Sequence, residues 1–246
     1  MKKLDSATRK VSPSLFPATP GAAAEAPGSR RCPLSDICRG RTTTIKVPRG
    51  KTVFVPDQLA EHVFLIHEGV IGGFKVWENG DETLQTVLMT GQICGAEAIV
   101  LKDQGKIPIR DYYARTFTPT TMCRMTMTEF EKTIQTDPTL SLKIVKLMAE
   151  RLHDFKQLLG FSSRGSGEKR LVALLLLMGK RIGAPSGDGV IIIRDRFSHQ
   201  DLAALTGCNR PTVTRNLLAL QARGLIKVER KQIHLLDPTG LEQILR

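Results

Sequence analysis

Four side chains between residues 210 and 215 are of the types that read nucleic acid. Arg210, Thr212, Thr214 and Arg215 fall on the outward side of a short helix, leaving Val213, Leu217, Leu218 and Leu220 for a core, with Leu202 and Leu205 upstream. A guanidinium is a rigid fork of donors that matches guanine O6 and N7 in the major groove. A threonine there can bind a phosphate or touch a thymine methyl.

Such a helix must be held at a fixed angle, and the flanking residues supply the means. Ser198 with Asp201 forms an S-x-x-D cap for a first helix, and Ala203 is small enough for two helices to approach closely. Gly207 can take the positive φ of a tight turn. Asn209 is a good N-cap for the second helix, and Pro211 is tolerated in its first turn, where the N–H groups lack partners anyway. Arg223-Gly224 ends that helix. LIKVE and QIHLL then alternate as two short strands joined by Arg230-Lys231. The arrangement is a winged helix–turn–helix, with Ser198 at the first cap and Lys231 at the wing tip placed near phosphates. Residues 237–246 read as a short closing helix or turn.

Charge follows the same division. The 246 residues carry a formal net charge of +12. Residues 168–246 hold 13 Lys/Arg against 7 Asp/Glu, and residues 1–41 hold 8 against 3, so the middle is almost neutral. Positive charge therefore sits on the DNA-reading segment and on a tail, as an electrostatic footprint for nucleic acid should. An apolar content of 41% and this length suit two modest domains with real cores. The first 20 residues lack a secretory apolar region, and LVALLLLM at 171–178 is too short to cross a bilayer. Five cysteines, an odd number, point to a reducing cytoplasm with free thiols or a metal site, not to disulfide stapling.

The expected fold class is α+β. Residues 1–41, rich in Pro, Ala, Ser and Gly and containing Cys32 and Cys38, read as a disordered basic tail. Residues 42–136 are short strands separated by Pro and Gly signals, including Asn79-Gly80-Asp81, which suggests an antiparallel β-barrel or jelly roll. Residues 137–161 switch to helical period. Leu140, Ile144, Leu147, Met148, Leu152, Phe155, Leu158 and Leu159 form a stripe broader than a strict coiled-coil seam, part for the barrel and part for a partner helix. A hinge, SSRGSG at 162–167, leads into the winged helix–turn–helix domain of 162–246.

This order resembles the CRP/FNR family of bacterial transcription regulators. The resemblance rests on VPRGKTVFVPD at 47–57, the segment 62–95, and LTGCNRPTVTRNLLALQARGLIKV at 205–228, and it spans about residues 46 to 240. It implies a homodimer on a pseudo-palindromic operator, an effector sensed in the β domain, and RNA polymerase as a further partner. Arg210 and Arg215 match the family arginines that contact guanine edges and phosphates. The glutamate often found between them is Pro211 here, so the half-site should differ from that of the cyclic-AMP receptor.

The residues matching the cyclic-nucleotide pocket depart from its pattern. Gly95-Ala96 replaces Gly-Glu, with Glu97 one place late; Arg110-Asp111 replaces Arg-Ser; Phe155-Lys156 replaces the adenine-contacting Thr-Ser. Gly95, Glu97, Arg110 and Phe155 are thus the candidate effector residues, with Arg110 an anion anchor, and cyclic AMP is not the expected ligand. The oxygen-sensing members instead hold an iron–sulfur cluster on N-terminal cysteines plus one from the barrel. Here Cys32-x5-Cys38 and Cys123 match three of those positions, Ser29 stands where the first cysteine would fall, and Cys94 is a fourth thiol nearby. These thiols read as cluster ligands, as redox-sensing thiols, or, for Cys94 and Cys123, as core filler. A heme would need His62, His67 or Cys94. Cys208, in the turn of the DNA reader, is a small apolar filler. The competing class is a cyclic-nucleotide-binding signalling module or an enzyme using the barrel as its ligand site, but no Ser/His/Asp set, H-E-x-x-H or Walker loop accompanies it.

Overall fold

A computed structural model describes residues 35–38, 42–103, 109–164, 166–230 and 232–245. Cys32, Lys231 and most of the 1–41 tail lie outside the described residues. The chain begins with a single helical turn α1 (Ser35–Cys38), followed by β1 (Thr43–Val47), β2 (Thr52–Phe54), β3 (His62–Glu68), β4 (Val70–Val76), β5 (Glu82–Met89) and β6 (Ile93–Cys94). Helix α2 (Ala98–Asp103), β7 (Tyr113–Thr116) and β8 (Thr120–Thr126) complete the β domain. These strands form two four-stranded antiparallel sheets, β1-β8-β3-β6 and β2-β7-β4-β5. The expected barrel is therefore not closed. The two sheets face each other as a jelly-roll sandwich, because strand alternation gives each sheet an inner apolar face that another sheet can cover.

Three cores follow from that alternation. Phe64, Ile66, Ile71, Leu88, Ala114 and Met122 fill the space between the sheets. The intervening residues Val63, Leu65, Cys123 and Met125 point to the other face of the first sheet, where they meet helices. Val70, Phe74, Val87, Met89 and Phe117, on the outer face of the second sheet, join the core of the C-terminal domain.

Helix α3 (Met127–Thr136) was not expected, although Thr126 and Glu129 form a reciprocal capping box at its start. The long helix α4 (Pro138–Arg164) has Pro138 in its first turn, with the Asp137 carboxylate accepting from the backbone N–H of Thr139 and Leu140. It runs further into the expected hinge than the sequence suggested. Ser162, Ser163 and Arg164 each cost a helix little. Leu140 and Ile144 are buried against the first sheet, whereas Leu142, Val145, Leu152 and Phe155 are exposed. The apolar stripe is thus two faces. Its outward one, Leu142, Val145, Ala149 and Leu152, keeps the alternating three- and four-residue spacing of a heptad seam.

The C-terminal domain contains α5 (Gly167–Ile182), β9 (Ala184–Ser186), β10 (Val190–Ile193), α6 (His199–Thr206), α7 (Arg210–Ala222), β11 (Ile226–Glu229), β12 (Gln232–Leu235) and α8 (Pro238–Leu245). Its wing is a four-stranded sheet, β11-β12-β10-β9. Among the described residues no helix is long and apolar enough to cross a membrane.

Candidate functional site

The helix–turn–helix is built by local capping. Ser198 and Asp201 make the reciprocal box at the start of α6, and Gly207 ends it at φ 62°. Asn209 accepts from the Thr212 N–H at the start of α7. Leu202, Ala203, Leu205, Val213, Leu217 and Leu220 are buried, locking the two helices on α5. Arg210 and Arg215 are exposed. Thr212 and Thr214 are only half exposed, which corrects their placement as outward residues. The Thr214 hydroxyl donates to the Arg210 carbonyl at 3.0 Å and lies 2.8 Å from His199 Nδ1. Thr212 lies against the start of α5, where a Cβ added to Gly167 would come 2.7 Å from its methyl. Leu218, expected in the core, is 60% exposed, because Leu217 and Leu220 already fill the inward side of the last turns. Ser198 is exposed at the first cap, and Arg230 turns the wing at φ 49°.

Beside the shared apolar core, polar contacts tie this domain to the rest of the chain. Arg49, in the turn between β1 and β2, pairs with Asp201, the carboxylate that caps α6. On α4, Asp154 is buried and accepts from Arg181 Nε at 2.9 Å, Lys180 Nζ at 3.3 Å and Gln92 Nε2 at 3.2 Å. Gln92 follows β5 and Arg181 lies in the last turn of α5, so one carboxylate joins the β domain, the long helix and the DNA-reading domain. Nothing in the sequence marked Asp154, because its partners lie 26 to 62 residues away.

The candidate effector residues do not line one pocket. Arg110 is buried, donates to the Gly95 carbonyl at 3.0 Å and to the His62 carbonyl, and stacks 4.4 Å from the Phe54 ring centroid. A Cβ on Gly95 would come 2.4 Å from the Arg110 guanidinium. The expected anion anchor is therefore buried and turned to backbone carbonyls. Glu97 accepts from the Tyr112 hydroxyl at 2.6 Å and stands 3.8 Å from Arg151. Phe155 lies apart, in a groove of about 290 Å³ between β5 and α4 that it shares with Gln85, Thr86, Met148, Arg151 and Leu152. Arg151, which the sequence did not single out, touches both regions.

The thiols separate in the same way. Cys94 faces the space between the sheets, because it pairs with Phe64, whereas Cys123 pairs with the next residue, Leu65, and faces the helices. Burial pushes the Cys94 thiol up to about 12. It is not grouped with Cys123, so the fourth thiol of the expected set is removed. In its place stands His67. Its Nε2 lies 2.7 Å from Cys123 Sγ and 3.7 Å from Cys38 Sγ, and the three donor atoms lie within 4.8 Å of one another. Thr44 Oγ1 is 3.6 Å from the same Cys123 sulfur. The Cys38 hydrogen bond, with others from His67, Thr42 and Thr44, holds the Cys123 thiol far below the ordinary range against the opposing effect of burial. His62, at the start of β3, is not part of this group. Two thiols and an imidazole differ from the four thiolates of a cluster; among the described residues, which do not include Cys32, no third sulfur joins them.

The thiolate character gives a direct expectation. With the Cys123 pKa lowered, raising the pH through the acid side of neutrality should bring up thiolate absorbance near 240 nm well before an ordinary cysteine titrates. That early rise should vanish in Cys123→Ser and persist in Cys94→Ser. An onset above pH 8 in the native protein would contradict the arrangement.

Residues 169–244 match the Crp-like helix-turn-helix domain family, and residues 44–137 match the cyclic nucleotide-binding domain family. The chain is 30% identical over 195 residues to the global nitrogen regulator of Synechococcus elongatus, covering 79% of this chain and 86% of that protein. It is 23% identical over 209 residues to the transcriptional activator protein FnrA of Stutzerimonas stutzeri, covering 85% and 81%. The fold matches that of FixK2 from Bradyrhizobium japonicum with a TM-score of 0.67 at 20% identity, over 82% of this chain and 96% of that one. The chain belongs to the CRP/FNR family of transcription regulators, with an effector-binding β domain ahead of a DNA-binding helix–turn–helix.

Proposed function

We propose that this protein is a cytoplasmic, homodimeric, non-enzymatic regulator that reads an inverted-repeat operator through Arg210 and Arg215 and works with RNA polymerase. Its β domain answers a redox or small-molecule signal and not cyclic AMP. The observation that carries the DNA reading is α7, capped and packed on α5, α6 and β11, with two exposed arginine forks on its open face. Against cyclic AMP stands Arg110, which is buried and turned to the Gly95 and His62 carbonyls. A signal in the β domain would reach α7 through α4 and the Asp154 and Arg49 contacts, as a shift between two packings.

Arg210→Ala or Arg215→Ala should each weaken specific binding by roughly 1–3 kcal/mol. Folding should be little affected, since both side chains are exposed. Gel-shift titrations on the operator and on scrambled DNA, beside thermal unfolding, give the check. Unchanged specific affinity in both variants would remove α7 as the reader.

A further inference from the structure

We propose that Cys38, His67 and Cys123 form a binding site for one soft or borderline divalent metal ion of the zinc class, held by two thiolates and one imidazole.

Each ligand is placed by a different element. Cys38 closes α1, Cys123 lies in the central strand β8 between β1 and β3, and His67 lies in β3. The β3–β8 register shifts between Ile66 and Glu68, so His67 is the extra residue of a bulge. Bulges re-aim side chains and are over-represented beside functional sites. The His67 ring, beside this bulge and on the face of Leu65, reaches the Cys123 sulfur, and the same sulfur has Cys38 and Thr44 as further neighbours.

The spacing suits one ion. Ligand distances of about 2.3 Å for sulfur and about 2.0–2.1 Å for nitrogen put tetrahedral neighbours about 3.5–3.8 Å apart. The Cys38–His67 separation is 3.7 Å, and the 2.7 Å between His67 and Cys123 is a hydrogen bond that an ion would replace by a small opening of the pair. Thiolate and imidazole together select zinc, cobalt or a similar cation over magnesium and calcium, which take oxygen. A three-ligand set leaves one tetrahedral position for water or another donor. The mixed donor set also distinguishes this site from a four-thiolate cluster.

The position carries a consequence. Cys123, Leu65 and Ile37 belong to the core that holds Leu140 and Ile144 of α4, and Cys38 packs against it. An ion joining α1 to two strands would stiffen that core and bias the long helix. This regulatory consequence rests on the proposed DNA-reading function; the ion site itself does not.

The test is a cobalt(II) titration of the reduced, metal-stripped full chain, without oxygen and without DNA. One equivalent should bring up visible bands of tetrahedral cobalt with a thiolate-to-metal charge-transfer band, and zinc(II) should displace both. Cys38→Ser, Cys123→Ser and His67→Ala should each lose more than the roughly 10–100-fold in affinity that a supporting residue costs. Cys94→Ser should bind as the native chain does. In the native protein zinc should shield Cys38 and Cys123, but not Cys208, from alkylation, a readout that survives if a variant fails to fold. Absence of the bands and of the shielding would overturn the site, as would native binding in His67→Ala. Stoichiometric iron and sulfide retained by the His67→Ala variant after anaerobic isolation would overturn it in favour of a cluster. Loss of metal binding with operator binding intact would leave the DNA reading standing, and the reverse would leave the site.

Discussion

Leu152→Asp should convert the protein to a monomer and reduce specific operator affinity by on the order of 100-fold or more. Leu152 is 54% exposed in the isolated chain, so the change places a charge on water-facing surface and should shift folding stability by only about 0.5 kcal/mol. In a dimer paired through α4 the same position lies in the seam with Leu142 and Val145. There the carboxylate would meet its own copy in an apolar setting. Joining two readers makes the second contact intramolecular, and losing that linkage costs roughly 10²–10⁴ in avidity. Sedimentation would show the change of mass, and a titration on the full operator would show the loss. A Leu152→Asp protein that remains dimeric would move the interface elsewhere.

Arg181→Ala should be the most destabilising single change among the contacts described, at roughly 3 kcal/mol. Removing one partner of a buried ion pair costs about 3–5 kcal/mol, because the remaining charge is left without compensation. Lys180 and Gln92 still reach Asp154, which places the cost near the lower end. Adding Asp154→Asn should recover part of the loss, since an amide does not carry the stranded charge. A double-mutant cycle on thermal or urea unfolding isolates the coupling. A loss below about 0.5 kcal/mol in the single variant would show that the pair does not tie α4 to α5 in solution.

The C-terminal domain was legible because short-range rules specify it. Ser198, Gly207 and Asn209 each act within three or four residues of themselves, and the structure uses them as caps and turn. Rotation about a helix was less secure. Leu218 looked like core only because it neighbours Leu217, and α4 hid a second apolar face, Leu142 and Val145, beside the one that packs on the sheet. The strand domain showed the limit more sharply. Whether sheets close into a barrel depends on pairing between distant strands, which alternation alone does not encode. Cys94 and Cys123 seemed a natural set until the register of β3 put them on opposite faces. His67 was passed over as a lone histidine because its neighbours Cys123 and Cys38 are brought to it by strand pairing and packing across 56 and 29 residues. Only α3 was missed despite a local signal, the Thr126–Glu129 box.

Two copies of this chain should read DNA together, and selection from random duplexes would show it. Purified protein would be cycled through binding and amplification, and the recovered pool sequenced. The expected outcome is an inverted repeat whose half-sites are centred about 34 Å apart, one helical turn, or a multiple of it. The half-site should lose its preference at one base pair in Arg210→Ala; Arg215→Ala should lose it at another or, where that arginine holds a phosphate, weaken binding to all sequences alike. A pool with no enriched motif, or a single unrepeated motif bound by one copy, would rule out paired reading by two α7 helices.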